Sequence, residues 1–277
     1  MIFSLWTKYG ALNSVDIFAA VKKGLLFLGH SVTENNPNAD VDVIWSVLFR
    51  GRLAGNKAVW DRAQQNNKPV IVLEVGCLSR GHTWKVGLNG IERSSFVTIS
   101  NGDTTRANKL ELQLAPWRST GDTILICTQN SKSLLWNNMP DLNTWTNDTI
   151  KSVRQYSNKP IVVRAHPRMP FKFRTLYTNV NYEWPKPAPI DFTNIWATIN
   201  WTSGPGVDSI IAGVPAFTSQ KSLAYPMSSD SFESIANPAT PDRTKWFREL
   251  LYTEFTIPEI ANGTPFNRIV KEIDKLL

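Results

Sequence analysis

Two short stretches of the chain combine residue types that bind anions. The first is an apolar, β-branched run over residues 159–168 that ends in Arg164 and His166. Further along, a turn of small residues at Ser203 and Gly204 opens a short helical pattern. Backbone N–H groups at the start of a helix and the guanidinium group of an arginine both favour phosphate oxygens. The sequence therefore predicts a phosphate-binding site formed by these two stretches.

A second group of reactive side chains follows a predicted strand in the first half of the chain. Residues 68–74 form a continuous apolar run, typical of a buried parallel strand, and the run ends in Glu74. In open α/β sheets the carboxyl ends of the strands carry the site, which favours Glu74, Arg80 and His82 for chemistry. Asp16 lies in the first turn of a predicted helix, where a carboxylate suits the helix dipole with or without another role.

Predicted strands and helices alternate along the whole chain, in two halves of similar plan. We therefore predict an α/β fold of two Rossmann-like domains that face each other across a cleft. The predicted domains span residues 1–118 and 119–277, with the linker around Pro116. Residues 30–38 are predicted to be a polar loop, and residues 171–189 an irregular segment.

The composition is that of a globular protein, with 42% hydrophobic and 19% charged residues, and it excludes a disordered chain. The sequence shows neither an apolar run of about 18 residues nor a secretion signal, so we expect a cytoplasmic protein. Cys77 and Cys127 lie in apolar runs and are expected to be buried thiols of the core. The three histidines are scattered and no Asp-x-Asp motif is present, so no metal site is expected.

The net charge of +7 is concentrated in the first part of the chain. Residues 1–120 contain 14 Lys and Arg against 9 Asp and Glu, whereas the remainder contains 16 against 14. A polyanionic partner such as nucleic acid would explain this excess. A basic surface exposed to solvent, with no partner, explains it equally well.

Three pieces of the second half resemble one known family when they are taken together. They are residues 159–167, the pattern Ser203-x-x-Gly206-x-Asp208-x-x-x-x-Gly213-x-Pro215, and residues 245–263. This combination resembles the C-terminal nucleotide-sugar domain of GT-B glycosyltransferases, in particular the capsule-polysaccharide (Kdo-transferase-like) group, and also phage-encoded DNA glycosyltransferases. The resemblance covers about residues 122–268. The family usually has Glu where this chain has Asp208, a shorter carboxylate that would shift or change the donor.

The resemblance implies a glycosyltransferase that uses a nucleotide sugar, UDP-linked by first choice, and that needs neither a metal nor another cofactor. The residues that it assigns to the donor are Arg164, His166, Ser203, Gly204, Gly206, Asp208, Gln129 and Ser131. The N-terminal domain would then bind the acceptor and supply the general base. Glu74 is the first candidate, with Asp16 and His82 behind it, although a salt bridge from Glu74 to Arg80 is an equal alternative.

The basic first half favours DNA as the acceptor, with transfer to hydroxymethylated pyrimidines of phage DNA in the host cytoplasm. The residues predicted to contact DNA are Arg50, Arg52, Lys57, Arg80, Lys85 and Arg93, with Trp45 and Trp84 stacking on a flipped base. A capsule or surface glycan is the alternative acceptor. A module that binds nucleotide or nucleic acid without catalysis is the alternative from a different functional class.

Overall fold

The computed structural model describes residues 1–97, 105–184 and 189–277. The chain forms two compact units, the first made of residues 1–110 and 248–277 and the second of residues 111–247. Both are α/β units built around a mainly parallel sheet. None of the described helices is long and apolar enough to cross a bilayer.

The N-terminal part of the first unit alternates strands and helices. Its elements are β1 (Ile2–Leu5), α1 (Val15–Phe27), β2 (Ser31–Glu34), β3 (Val41–Trp45), α2 (Asn56–Gln65), β4 (Val70–Val75), β5 (Trp84–Leu88) and α3 (Thr105–Lys109). The second unit follows with β6 (Thr123–Cys127), α4 (Leu142–Val153), β7 (Ile161–Arg164), β8 (Val180–Glu183), β9 (Ile195–Asn200), α5 (Pro205–Ile211) and β10 (Ala216–Phe217). The chain ends with α6 (Thr244–Leu250), β11 (Glu254–Phe255), α7 (Ile257–Ala261) and α8 (Phe266–Ile273).

The sheet of the first unit has the order β11-β5-β4-β3-β1-β2. Strands β1 to β4 are parallel, whereas β5 and β11 run antiparallel to their neighbours. All five residues of β3 are buried, which is the pattern of a central strand covered on both faces. The hydrophobic core of the first unit combines strand residues such as Phe3 and Ile71 with Ile17, Val21 and Leu25 of α1.

The sheet of the second unit is parallel throughout, in the order β10-β9-β6-β7-β8. One face packs against α4 through Ile124, Ile126 and Ile150, all fully buried. Leu125, Cys127 and Val214 form a smaller apolar cluster. Ile124 and Ile126 of β6 therefore face one side of the sheet, and Leu125 and Cys127 face the other, because successive side chains of a strand point to opposite faces.

The C-terminal residues belong to the first unit, which differs from the domain boundaries of 1–118 and 119–277 that the sequence suggested. Strand β11 pairs with β5, and Phe255, Ile260 and Phe266 are fully or almost fully buried in the first core. The apolar pattern of these residues predicts helices, but it does not identify the core that they enter.

Two local predictions differ from the structure. The polar loop predicted at residues 30–38 contains the edge strand β2, and the irregular segment predicted at 171–189 contains the edge strand β8. Both strands are short, and pairing with a neighbouring strand outweighs the local propensity in them.

Candidate functional site

The second unit has its topological switch point between β6 and β9. From β6 the chain first adds β7 and β8 on one side and then returns to add β9 on the other side. The connections leave the two strands in opposite directions at this point, so a crevice opens outside their carboxyl ends. The segments that border it are residues 128–131 after β6 and residues 201–204 after β9.

Polar side chains tie these segments together at the edge of the sheet. Gln129 is 5% exposed, and its Oε1 accepts hydrogen bonds from the backbone N and the Oγ1 of Thr202 at 3.0 and 2.8 Å. Thr128 accepts the N–H of His166 at 3.1 Å, which links the segment after β6 to the segment after β7. The segments after β6, β7 and β9 are therefore joined by hydrogen bonds at the predicted phosphate site. The side-chain carbonyl of Gln129 makes the bonds to the segment after β9.

Arg164 is the last residue of β7 and lies in register with Cys127 on β6 and Glu183 on β8. Register partners in neighbouring strands point to the same face, so these three side chains are aligned across the edge of the sheet. Burial raises the pKa of the Cys127 thiol to about 12; the positive charge of Arg164 opposes this, whereas the negative charges of Asp208 and Glu183 add to it. The negative charge of Asp208 is thus close enough to the end of β6 to affect the pKa of the Cys127 thiol.

His166 is oriented by two hydrogen bonds, one to the segment after β6 and one within its own loop. Its backbone N–H donates to Thr128, and its ring Nδ1 accepts the N–H of Arg168 at 3.1 Å. Because Nδ1 is an acceptor, the hydrogen-bond network assigns the proton of the neutral ring to Nε2. In this tautomer Nε2 is a hydrogen-bond donor.

The turn before α5 presents backbone donors at the same edge. Within residues 1–97, 105–184 and 189–277, the N–H groups of Ser203 and Gly204 have no assigned acceptor. The Ser203 carbonyl accepts the Asn200 side-chain amide at 2.9 Å, which fixes the turn. Gly206 has a packing role, because a Cβ there would lie 2.5 Å from Oδ1 of the buried Asn200. Ser131 is half-buried on the opposite border, in the segment after β6.

The first unit has its own switch point, between β1 and β3. Asp16, in the first turn of α1, is exposed and follows β1, and Glu74 is half-buried at the end of β4. The Oε2 atom of Glu74 accepts the hydroxyl of Ser46 at 2.5 Å, and Oε1 accepts the N–H of Val75 at 2.9 Å. In the described part of the chain no ion pair joins Glu74 to Arg80, so the alternative of a salt bridge to Arg80 is wrong.

The loop after β4 is organised by a residue that the sequence did not single out. Glu254 is fully buried, and its carboxylate accepts the N–H of Cys77 at 2.7 Å, the N–H of Leu78 at 3.0 Å and the hydroxyl of Thr83 at 2.8 Å. His82, exposed, is held in this loop by the hydrogen bond from its N–H to Ser79. Because Glu254 lies far away in sequence, no local pattern connects it with this loop.

The residues predicted to contact DNA do not form one surface. Arg50, Arg52 and Arg80 are exposed in segments that follow β3 and β4, at the carboxyl edge of the sheet. Lys57 is also on that side but bonds Asp61 at 2.6 Å. Lys85 is half-buried within β5, and Arg93 follows β5, which runs antiparallel and ends beside the start of β4. Arg93 therefore lies toward the opposite edge.

The two tryptophans proposed to stack on a base are packed on the core of the first unit. Trp45 is 2% exposed within β3, so its assignment to a flipped base is wrong, since a buried indole has no free face to offer. Trp84 is half-buried in β5 and packs against the same core. Of the two cysteines, Cys127 is buried, as expected, whereas Cys77 is half-buried. No cluster of three or more His, Cys, Asp or Glu residues among those described could hold a metal ion.

Two α/β units with mainly parallel sheets, in a chain whose last residues return to the first unit, have the architecture of the GT-B fold. No protein-family model and no curated protein matches the sequence. Solved structures do match: the chain is similar to the β-Kdo 2,4 transferase of Thermosulfurimonas dismutans KpsC, with a TM-score of 0.52 and 14% identity over 100% of this chain and 98% of that one. It is also similar to the β-Kdo 2,7 transferase of the same KpsC, with a TM-score of 0.54 and 12% identity over 96% and 99%. At this identity the similarity shows the fold.

Proposed function

We propose that the protein is a glycosyltransferase that moves a sugar from a nucleotide-sugar donor to a hydroxyl acceptor, and that the second unit binds the donor. The observation that carries the proposal is the edge of the second sheet at the switch point. There Arg164, His166 and the Ser203 turn are joined through Thr128 and Gln129. Both similar structures are named transferases of the sugar Kdo, which supports the same class of chemistry.

Transfer breaks the bond between the anomeric carbon and a phosphate oxygen of the nucleotide. The electron pair leaves with the nucleotide, which is a diphosphate for UDP- or GDP-linked sugars and a monophosphate for CMP-linked sugars. Hydrogen-bond donors that face the developing charge lower this barrier. Arg164, Nε2 of His166 and the N–H groups of Ser203 and Gly204 are suited to this role. The acceptor oxygen forms the new bond, and a base takes its proton. Glu74 remains our first candidate for that base, because its carboxylate is held by Ser46.

Turnover tests the donor site directly. Hydrolysis or transfer of UDP-, GDP- and CMP-linked sugars is measured for wild type, Arg164→Ala and, as a control, Arg174→Ala. Arg174 is an exposed arginine of the same unit, so its removal changes the charge equally. We expect Arg164→Ala to lose about 100-fold in kcat/KM, the usual effect of removing one donor to a developing negative charge. Equal rates for wild type and Arg164→Ala would refute the assignment.

A glycan hydroxyl is the acceptor that we favour. The charge asymmetry that pointed to DNA disappears when the C-terminal residues are counted with the first unit. That unit contains 17 Lys and Arg against 13 Asp and Glu, and the second contains 13 against 10, so the excesses are +4 and +3. The two similar structures carry the names of β-Kdo transferases, which supports a sugar hydroxyl over a DNA base as the acceptor.

Hydroxymethylated pyrimidines in phage DNA are the second candidate acceptor, supported by the exposed Arg50, Arg52 and Arg80. A protein that grips phosphates with these side chains binds duplex DNA with an affinity that falls steeply with salt. Binding to a hydroxymethylcytosine duplex is measured between 50 and 200 mM salt for wild type and for the double variant Arg50→Ala/Arg52→Ala. A salt-insensitive affinity, or an unchanged slope in the variant, eliminates DNA.

A further inference from the structure

We propose that Ser46 positions the Glu74 carboxylate as the base for an acceptor hydroxyl, an inference that rests on the proposed function. The hydroxyl of Ser46 donates to Oε2 of Glu74 at 2.5 Å, within hydrogen-bond distance for a hydroxyl and a carboxyl oxygen. The other carboxylate oxygen accepts the N–H of Val75 at 2.9 Å. Two of the roughly four lone-pair positions of the carboxylate are thus occupied, and the group still has acceptor capacity for a substrate hydroxyl.

The direction of the Ser46 hydroxyl is fixed from both sides. Its oxygen accepts the N–H of Leu48 at 3.3 Å, and its proton is given to Glu74. The backbone N–H of Ser46 donates to the carbonyl of Leu73 at 2.7 Å, on the neighbouring strand and one residue before Glu74. With 1% exposure, the serine cannot exchange these partners for water.

The backbone conformation of Ser46 indicates that its side chain has a function. Its φ is +66°, a region where an L side chain costs free energy that glycine avoids. Asn56 is fully buried and holds the preceding residue, with its amide donating to the carbonyls of Trp45 and Tyr9 at 2.8 and 3.2 Å. The fold therefore keeps a serine in a conformation made for glycine, and the bond to Glu74 is what the hydroxyl adds.

The position of the pair in the sheet agrees with a role in catalysis. Strand β3 lies at the switch point of the first unit, and β4 is its parallel neighbour. Ser46 directly follows β3 and Glu74 is the penultimate residue of β4, so both lie at the carboxyl ends of these strands. A base must be held within hydrogen-bond reach of the proton that it takes. Ser46 does not itself touch the reacting atoms; it removes rotamer freedom from Glu74, and its loss is expected to affect kcat.

Two substitutions at Ser46 distinguish the effect of its hydroxyl from the effect of its backbone conformation. Ser46→Ala removes the hydroxyl and keeps the strained φ, whereas Ser46→Gly removes the hydroxyl and relieves the strain. Both are compared with Glu74→Gln, with Glu74→Gln/Ser46→Gly and with the exposed control Ser31→Ala. Hydrolysis of UDP-glucose, GDP-mannose and a CMP-linked sugar is measured with the full chain, and kcat and KM are determined for the donor that is turned over fastest.

We expect both Ser46 variants to lose 10- to 100-fold in kcat, the usual cost of removing a residue that orients a reactive group, with the KM for the donor within about twofold. Glu74→Gln/Ser46→Gly should be no slower than Glu74→Gln, because Ser46 acts through Glu74. Wild-type kcat in Ser46→Gly, or additive losses in the double variant, would overturn the inference. Full activity of Glu74→Gln beside an inactive Arg164→Ala would overturn it and leave the donor site standing. Failure of wild type to turn over any of these donors would contradict the proposed function and the inference with it.

Discussion

The carboxyl edge of the sheet in the second unit combines charged and polar side chains with a thiol of low reactivity. Cys127 is 3% exposed at the end of β6, and burial raises its pKa to about 12. Only the thiolate reacts with alkylating reagents, so a thiol with this pKa is almost unreactive at neutral pH. Cys77, in the loop after β4 of the first unit, is half-buried, and its Sγ lies 3.2 Å from Oε1 of Glu254.

Iodoacetamide at pH 8 should therefore label native Cys77 first and leave Cys127 unmodified. Relative to an ordinary thiol of pKa about 8.5, the thiolate fraction of Cys127 is lower by about three orders of magnitude. Mass spectrometry of the two cysteine peptides over time measures this difference, and protein unfolded in urea is the control in which both should react. Labelling of native Cys127 at the rate of Cys77 would show that the end of β6 is open to solvent.

The sequence predicted some of these residues and could not predict others, for a physical reason. The position of Arg164, His166 and the Ser203 turn at one edge of the sheet could be predicted, because each lies at the end of an apolar run and the carboxyl ends of parallel strands meet at one edge. Ser46 and Glu254 were missed because their roles depend on partners far away in sequence, Glu74 and residues 77–83. The burial of Trp45 was misjudged because the local sequence pattern does not show that β3 is an interior strand whose residues are buried on both faces.

Gly206 and Gly213, the glycines of the motif that carried the family resemblance, are required for the packing and the C-terminal end of α5. Gly213 has φ +77° and ends the helix, with its N–H donating to Ile210 and that of Val214 donating to Ser209. This is the Schellman pattern of a helix C-terminus, which glycine favours. A Cβ at Gly213 would also collide with the carbonyl of Pro116. This spacing is therefore evidence for the packing of α5 as well as for a ligand.

Gly213→Ala should destabilise the protein more than Gly29→Ala does. Gly29 ends α1 with φ +81° and the same hydrogen-bond pattern, but a Cβ there would meet nothing within 4 Å. We expect about 1 kcal/mol for Gly29→Ala, from the backbone conformation alone, and about 3 kcal/mol for Gly213→Ala, where the collision is added. Thermal unfolding midpoints of the two variants provide the measurement. Equal losses of stability in the two variants would mean that the backbone at Pro116 moves away from the new Cβ without a loss of free energy.

The chain as a whole is organised by the return of its last residues to the first unit. Arg106, 5% exposed, bonds Glu259 at 3.0 and 2.6 Å and donates to the carbonyls of Leu251 and Glu254. Alternating strands and helices predicted two α/β units, and this was confirmed. The sequence placed the C-terminal segment in the wrong unit, because an apolar helix face fits any core of matching shape.

The Arg106–Glu259 pair should make the stability of the first unit depend on acidic pH. Burial alone would raise the pKa of Glu259, but hydrogen bonds from Arg106 and Thr256 outweigh it and hold the pKa below its ordinary value. The unfolded carboxyl then binds its proton more readily, so the stabilisation is complete above about pH 4.3 and is lost as the pH falls further.

Glu259→Gln should cost about 3 kcal/mol at pH 7, because it leaves the charge of Arg106 buried without its partner. The variant should also lose less stability than wild type between pH 5 and 3. Urea midpoints across this range measure both effects. Glu272→Gln is the control, because it removes an equal charge from the more exposed ion pair of Glu272 with Lys275. If Glu259→Gln and wild type lose stability in parallel, the pair does not link pH to folding.

The central claim is that the second unit holds a nucleotide-sugar donor at the edge formed by Arg164, His166 and the Ser203 turn. The most direct measurement is the thermal unfolding midpoint with UDP-, GDP- and CMP-linked sugars, for wild type, Arg164→Ala and Arg174→Ala. A donor present at a hundred times its Kd stabilises the folded protein by about 2.7 kcal/mol, which raises the midpoint by several degrees. We predict this rise with at least one donor for wild type and Arg174→Ala, and its loss in Arg164→Ala. A rise of equal size in Arg164→Ala, or no rise with any of the three donors, would contradict the account.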